Sequence, residues 1–165
     1  MIKTPQFKIF ICVLLTALII SGAVFITLYC RGNFSPGPVL EIKDSASGRL
    51  YGRWPLEEDG VFAVEFIHSV HQSPVRESFI IDSRMIRPLA VSFSSFGAGM
   101  LSDVGEGMKL NRDGDALVIT GFTNSFRELN YIVATVSDHL LIINGDTVSL
   151  RDLCGRNAHI TMRIR

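Results

Sequence analysis

The side chains with the clearest capacity for chemistry lie close together in the middle of the sequence. His68 and His71 place two imidazoles three positions apart, and Glu77 adds a carboxylate six positions later. Two histidines and a carboxylate are a ligand set that zinc accepts, so these three residues are candidate metal ligands. Residues three apart share a face of a helix but not of a strand end, which counts against a metal site. The alternative is a core histidine at His68 that bonds Glu77, with His71 solvated in a loop.

The same segment raises the question of a hydrolase, because Ser69 and Ser73 lie beside the histidines and close to Glu77. Such catalysis requires a serine, a base and an orienting group in fixed geometry, with hydrogen-bond donors for the oxyanion. Nothing around the two serines indicates a nucleophile elbow or an oxyanion hole. We therefore expect no enzymatic activity and assign no catalytic residue. A pocket or docking surface at one end of a sheet is the third interpretation of these polar residues.

Two apolar runs flank residues 69–74 and predict that the segment is a β-hairpin. Each run alternates as expected for a strand with one buried face. Connecting the runs through this loop pairs His68 with Val75 and Phe66 with Glu77. Antiparallel partners share a face, so His68 and Glu77 are predicted to be diagonal neighbours on the apolar side. Burying both groups costs free energy unless they satisfy each other, so we expect them within reach.

A glycine-rich break, Phe96-Gly97-Ala98-Gly99, follows a later predicted strand. It is too short for a phosphate loop and lacks the lysine that would follow. The first interpretation is a turn that ends a strand, and the second is a backbone segment approached by a ligand or partner. On the second interpretation the candidate binding residues are His68, Ser69, His71, Pro74, Glu77, Phe96, Gly97 and Gly99.

The chain after residue 38 has the turn residues and spacing of an antiparallel β-protein. Asp113-Gly114 and Asn144-Gly145-Asp146 each separate two apolar runs, as hairpin turns do. About nine short strands at this spacing predict an all-β fold, either an antiparallel β-sandwich or a small barrel-like domain.

Residues 9–30 form an apolar stretch without a charged side chain. As a helix they would span about 33 Å, close to the thickness of a bilayer core, so one N-terminal transmembrane helix is predicted. A cleaved signal peptide is the alternative. Lys3 and Lys8 precede the stretch and favour a cytoplasmic N-terminus, which makes the body extracytoplasmic and the protein a single-pass protein of the cytoplasmic membrane. The predicted organisation is a cytoplasmic N-terminus (1–8), an anchor or signal sequence (9–30), a linker (31–38) and a β-domain facing the periplasm or cell exterior (39–165).

The charge distribution argues against nucleic-acid binding, and the cysteine content argues against a disulfide framework. Three of the 16 basic residues and none of the 16 acidic ones belong to residues 1–38, which leaves a mildly acidic body without a basic cluster. Such a body is not expected to bind nucleic acid. Cys12 and Cys30 lie in the apolar stretch, so Cys154 has no obvious partner and no disulfide framework is predicted. No cofactor is predicted either.

Several short motifs resemble a bacterial family, domain of unknown function family 1850. They are Trp54-Pro55-Leu56, Phe66-Ile67-His68-Ser69-Val70, Ser73-Pro74-Val75-Arg76-Glu77, Phe96-Gly97-Ala98-Gly99 and Glu106-Gly107. The resemblance extends from about Leu40 to Ile143. It implies a small exported or membrane-anchored protein that is associated with TRAP-type transporters of the TAXI subclass. The family has no established catalytic residues, so the resemblance transfers none.

The functional expectation combines this context with the predicted anchor and β-domain. The first hypothesis is an accessory protein of a TAXI-type TRAP secondary transporter, whose β-domain contacts the membrane subunits, the solute-binding protein or the solute. The alternative is an extracytoplasmic metal- or small-ligand-binding module with His68, His71 and Glu77 as ligands. A third hypothesis is an envelope hydrolase that uses Ser69.

Overall fold

The computed structural model describes residues 20–21, 37–57, 60–69, 72–94, 105 and 107–165. The chain divides into two units, Met1–Pro36 and Gly37–Arg165. The predicted anchor at residues 9–30 lies outside the described residues except for Ile20 and Ser21, which are helical. Within the described ranges, none of the helices is both long and apolar enough to cross a membrane.

The second unit is built from two antiparallel sheets. Its described strands are β1 (Val39–Asp44), β2 (Leu50–Pro55), β3 (Val61–Ile67), β4 (Pro74–Asp82), β5 (Met85–Phe93), β6 (Lys109–Asp113), β7 (Ala116–Thr120), β8 (Glu128–Ile132), β9 (His139–Ile143), β10 (Asp146–Ser149) and β11 (His159–Ile164), with one short helix, α1 (Leu150–Cys154). The small sheet has the strand order β2-β1-β11-β8, and the large sheet has the order β10-β9-β3-β4-β5-β7-β6. The predicted all-β fold with antiparallel pairing is confirmed.

The two sheets bury their apolar faces against each other, as in a β-sandwich. One core cluster contains Ile42 and Met162 from the small sheet together with Phe62 and Leu141 from the large sheet. Strands such as β9 and β11 alternate between buried and less buried residues, so every second side chain points into this layer. A second, smaller cluster around Phe93 lies on strands β4, β5 and β7 of the large sheet.

The β3–β4 hairpin is confirmed, but its predicted register is wrong by two residues. Phe66 pairs with Val75, and Val64 pairs with Glu77. A shift of two residues leaves every side chain on its original face, so Glu77 does belong to the apolar inner face. His68, however, follows the end of β3 and lies in the loop, where it does not pair with Val75.

Apolar pairing and the closure of the loop explain the observed register. Phe62 lies opposite Phe79, and the two rings stack with their centroids 5.3 Å apart. The N–H of His68 donates to the carbonyl of Ser73 at 2.9 Å, which closes the loop through its own backbone. This register sets Phe66 against Val75 and Phe62 against Phe79, whereas the predicted one would set the buried Val75 against His68.

On the outer face of the small sheet, the carboxylate of Glu41 forms ion pairs with three basic side chains. Glu41 on β1 contacts Lys43 at 2.7 Å, Arg53 of β2 at 2.8 Å and Arg165, just after β11, at 3.4 Å. The hydrogen bond from Lys43, supported by Arg53 and opposed by burial, holds the pKa of Glu41 below its ordinary value. These cationic side chains cover Glu41, and together they tie three neighbouring strands to each other.

We predict that Gly52→Ala destabilises the domain, because the Trp54 ring lies over Gly52 on β2. A Cβ at position 52 would lie 2.4 Å from Cη2 of Trp54, so the indole would have to move away from the core that it covers. Overpacking of this kind costs about 1 to 3 kcal/mol of unfolding free energy. Urea denaturation of the purified protein measures the loss.

A double-mutant cycle controls for other effects of the added methyl group. In a Trp54→Phe background the same Gly52→Ala change should cost clearly less, because the smaller ring leaves room for Cβ. Equal costs in both backgrounds would contradict the proposed role of Trp54.

Candidate functional site

Glu77 is an isolated carboxylate on the apolar inner face of the large sheet. It lies on the central strand β4, opposite Val64 of β3 on one side and Val91 of β5 on the other. The next inward-facing residues on its own strand are Val75 and Phe79, and both are buried. A carboxylate in such surroundings requires a polar partner, because burying it unpaired is costly.

That partner is Tyr131, which belongs to the opposite sheet. Tyr131 lies on β8 and pairs with the buried Ile160 of β11 on the inner face of the small sheet. Its hydroxyl donates to Oε2 of Glu77 at 2.6 Å. The hydrogen bond therefore crosses the sandwich and joins its two layers at one point.

Burial determines the protonation preferences of this pair. It raises the pKa of Glu77, although the hydrogen bond from Tyr131 acts in the opposite direction. Burial and the Glu77 charge also raise the pKa of Tyr131 far above its ordinary value, so its hydroxyl remains the donor. Glu77 consequently takes up a proton more readily than an exposed glutamate does.

A buried histidine does lie beside this pair, but it is His139 and not His68. His139 begins β9 opposite Phe66, and their rings stack with centroids 4.9 Å apart. Its ring also meets the edge of Tyr131 at 6.2 Å, and its Nδ1 accepts the N–H of Ala134 at 3.3 Å. Burial lowers the pKa of His139, which favours the neutral ring. Because Nδ1 accepts a hydrogen bond, the proton of the neutral ring is on Nε2.

Sequence reasoning missed Tyr131 and His139, although the alternation of their strands contained a usable signal. His139 alternates with Leu141 and Ile143, which marks it as inward-facing. Tyr131 likewise alternates with Leu129 on β8. No local pattern, however, indicates which strand of the opposite sheet faces Glu77.

Glu77 and Tyr131 line a pocket of about 310 Å³ between the two sheets. Its other described lining residues are Phe79, Pro88, Val91, Phe122, Phe126, Leu129 and Asn130. Phe126 is held in place by two 2.8 Å backbone hydrogen bonds to Ile86 of β5. Pro88 lies where the β4–β5 register shifts, a position that tolerates its missing N–H. Glu77 is the one charged side chain among these described residues.

The other predicted site residues that the structure describes lie at one end of the sandwich. His68 and Ser69 are in the β3–β4 loop, and Pro74 begins β4. Glu77 pairs with Val64, and Val64 precedes His68 by four positions in the chain. At about 3.3 Å per strand residue, the backbones of Glu77 and His68 are therefore roughly 13 Å apart along the strand. His68 and Glu77 are thus not the predicted neighbours, and the carboxylate is bonded to Tyr131 instead.

Four predicted site residues, His71, Phe96, Gly97 and Gly99, lie outside the described residues. Within the described part of the chain, no group of three or more histidine, cysteine, aspartate or glutamate side chains is arranged to hold a metal ion. The role of His71 in a metal site stays a prediction.

Comparison with known proteins identifies a family but no characterised relative. The model of a family described as "Domain of unknown function (DUF1850)" matches residues 62–150. The matched range contains Glu77, Tyr131 and His139, so the pair that joins the sheets and the buried histidine belong to the matched domain. No curated protein and no solved structure matches the chain.

We predict that Glu77→Gln changes how stability depends on pH. The folded state raises the pKa of Glu77 above its ordinary value, so its stabilising contribution is complete below that ordinary value and is lost as pH rises through the raised one. Glutamine stays neutral and still accepts the Tyr131 hydroxyl. Relative to wild type, the variant should therefore gain unfolding free energy as pH rises from about 4 to about 8. Urea denaturation across this range measures the difference.

Glu65→Gln is the matched control, because Glu65 lies on the neighbouring strand β3 and forms an ion pair with Arg76 at 3.7 Å. This control should not reproduce the gain. Parallel pH profiles for wild type and Glu77→Gln would show that the fold does not favour the protonated carboxyl.

Proposed function

Because the chain belongs to the domain of unknown function family 1850, we propose that it is an accessory protein of a TAXI-type TRAP secondary transporter. In this proposal the segment at residues 9–30 holds the protein in the cytoplasmic membrane, and the β-domain faces the periplasm or cell exterior. Its partners are the transporter's membrane subunits and its solute-binding protein. The context that the family resemblance implies and one surface of the β-domain support the proposal.

The supporting surface is the loop end of the sandwich, where apolar and polar residues are exposed together. Ile67 at the end of β3 is 39% exposed, and Val136 in the β8–β9 loop is 90% exposed. The hydroxyl of Ser137 donates to the carbonyl of Ile67 at 3.3 Å and holds the two loops together. Exposed aliphatic side chains beside His68 and Ser69 are suited to contact with another protein.

The β8–β9 loop that presents Val136 is fixed by hydrogen bonds. Asp138 accepts the hydroxyl of Ser149 at 2.5 Å and the N–H of Arg151 at 3.1 Å. The Arg151 guanidinium also donates to the carbonyl of Val136 at 3.4 Å. A contact residue on a loop fixed in this way loses little conformational entropy on binding, which favours a docking role.

The second candidate is a small-ligand-binding module, which the pocket at Glu77 and Tyr131 favours. Apolar walls around a single ionisable group are typical of sites that bind small molecules. The metal form of this candidate, with His68 and His71 as ligands, is tested directly by the metal content of the purified protein.

We predict that Ile67→Asp weakens association with the transporter. Affinity purification of the full-length protein from native membranes, followed by mass spectrometry, should recover subunits of a TAXI-type transporter with the wild type. A charge at position 67 must be desolvated on docking, so recovery with Ile67→Asp should fall by about tenfold or more.

Val61→Asp is the matched control, because Val61 is an exposed aliphatic residue at the opposite end of the same strand. It should leave recovery unchanged. Absence of transporter subunits from the wild-type sample would contradict the accessory role, and equal losses with both variants would contradict docking through the loop end.

A further inference from the structure

We propose that the pocket lined by Glu77 and Tyr131 binds a small organic cation, an ammonium group carried on an aromatic ring or a short alkyl chain. The inference rests on the ligand-binding candidate above and names the class of its ligand. It does not depend on docking through the loop end, because Ile67 does not line the pocket and lies in a different part of the domain.

The unpaired side of the Glu77 carboxylate is the first argument. Tyr131 hydrogen-bonds Oε2, and no other described residue hydrogen-bonds or forms an ion pair with Glu77. Among the described residues that line the pocket, none supplies a positive charge. A partly buried carboxylate gains most from a cation that enters the pocket and contacts its second oxygen.

The aromatic walls are the second argument. Phe79, Phe122 and Phe126 come from β4 and from the segment that leads into β8, and all three line the same pocket as Glu77. The face of a phenylalanine ring attracts a cation, and its edge packs against a ligand ring. A neutral apolar ligand would use these walls but leave Glu77 unpaired, and an anion would be repelled by it.

The neighbouring titratable groups do not compete for the carboxylate. Burial raises the pKa of the Tyr131 phenol and lowers that of the His139 imidazole, so both side chains are neutral at physiological pH. When Glu77 is ionised, the described lining of the pocket therefore presents one negative charge with the Tyr131 hydroxyl beside it.

The size of the pocket limits the ligand. A volume of about 310 Å³ is at the lower end of the range for small-molecule sites, about 300–1,000 Å³. It accommodates a single ring with a short amine-bearing chain. Phenethylamine is a suitable probe because it has this size and carries its ammonium at the end of a two-carbon chain.

The test is calorimetric titration of the full-length protein with phenethylamine, and with phenethyl alcohol and phenylacetate as neutral and anionic analogues. Phenethylamine should bind more tightly than both analogues. Glu77→Gln keeps the acceptor for Tyr131 but removes the charge, so it should weaken phenethylamine binding about ten- to hundredfold and leave phenethyl alcohol unchanged. Glu65→Gln, on the neighbouring strand, should bind all three probes like the wild type.

Phe126→Leu tests independently whether the aromatic walls of the pocket bind the cation. It remains a test of the inference if Glu77→Gln does not fold. It keeps apolar area but removes a ring face, and it should weaken phenethylamine more than phenethyl alcohol. Equal binding of the three probes, tighter binding of phenylacetate, no binding of phenethylamine, or wild-type affinity in Glu77→Gln would each overturn the inference. Transporter recovery should be unaffected by Glu77→Gln, so failure here and failure of the accessory role are separate results.

Discussion

The hydrogen bond between Tyr131 and Glu77 is the polar constraint around which the interior of the domain is arranged. A sandwich core of aliphatic and aromatic residues gains stability from any close packing of its layers, and it does not by itself define how one sheet lies over the other. A carboxylate with one buried donor does define this, because other arrangements would leave the charge unpaired. The pair, at 2.6 Å, thus fixes the small sheet relative to the large one. The pocket of about 310 Å³ lies beside this pair.

The sequence contains enough information to predict most of the strands and the inward direction of Glu77, but the prediction missed β11 and the partner of Glu77. Alternation with a period of two determines the face of each residue, and it is unchanged when a hairpin slips by two positions. The register between Phe66 and Val75 depends on how the backbone of the loop closes between His68 and Ser73, which side-chain alternation does not encode. Tyr131 is 54 positions from Glu77 and on the other sheet, so only the packing of the layers brings the two together.

The loop end and the pocket are physically continuous although they serve different proposals. Phe66, the neighbour of the exposed Ile67, stacks on His139, and His139 in turn contacts the ring of Tyr131. Tyr131 then bonds the carboxylate of Glu77 at the pocket. A partner at the loops and a small molecule between the sheets would therefore contact opposite ends of one row of packed rings. The function of the domain should accordingly be tested at the loop end and at the pocket together.

The position of β1 between β2 and β11 has a consequence for the time at which the domain folds. Glu41 on β1 and Arg165 are 124 positions apart, yet they belong to the same ion-pair network on adjoining chain segments. The small sheet lacks one of its two inner strands until the ribosome has made β11. Pairings between such distant segments form slowly, because the loop entropy must be lost before contacts compensate for it. During synthesis the sandwich accordingly remains incomplete until β11, the last strand, has paired with β1 and β8.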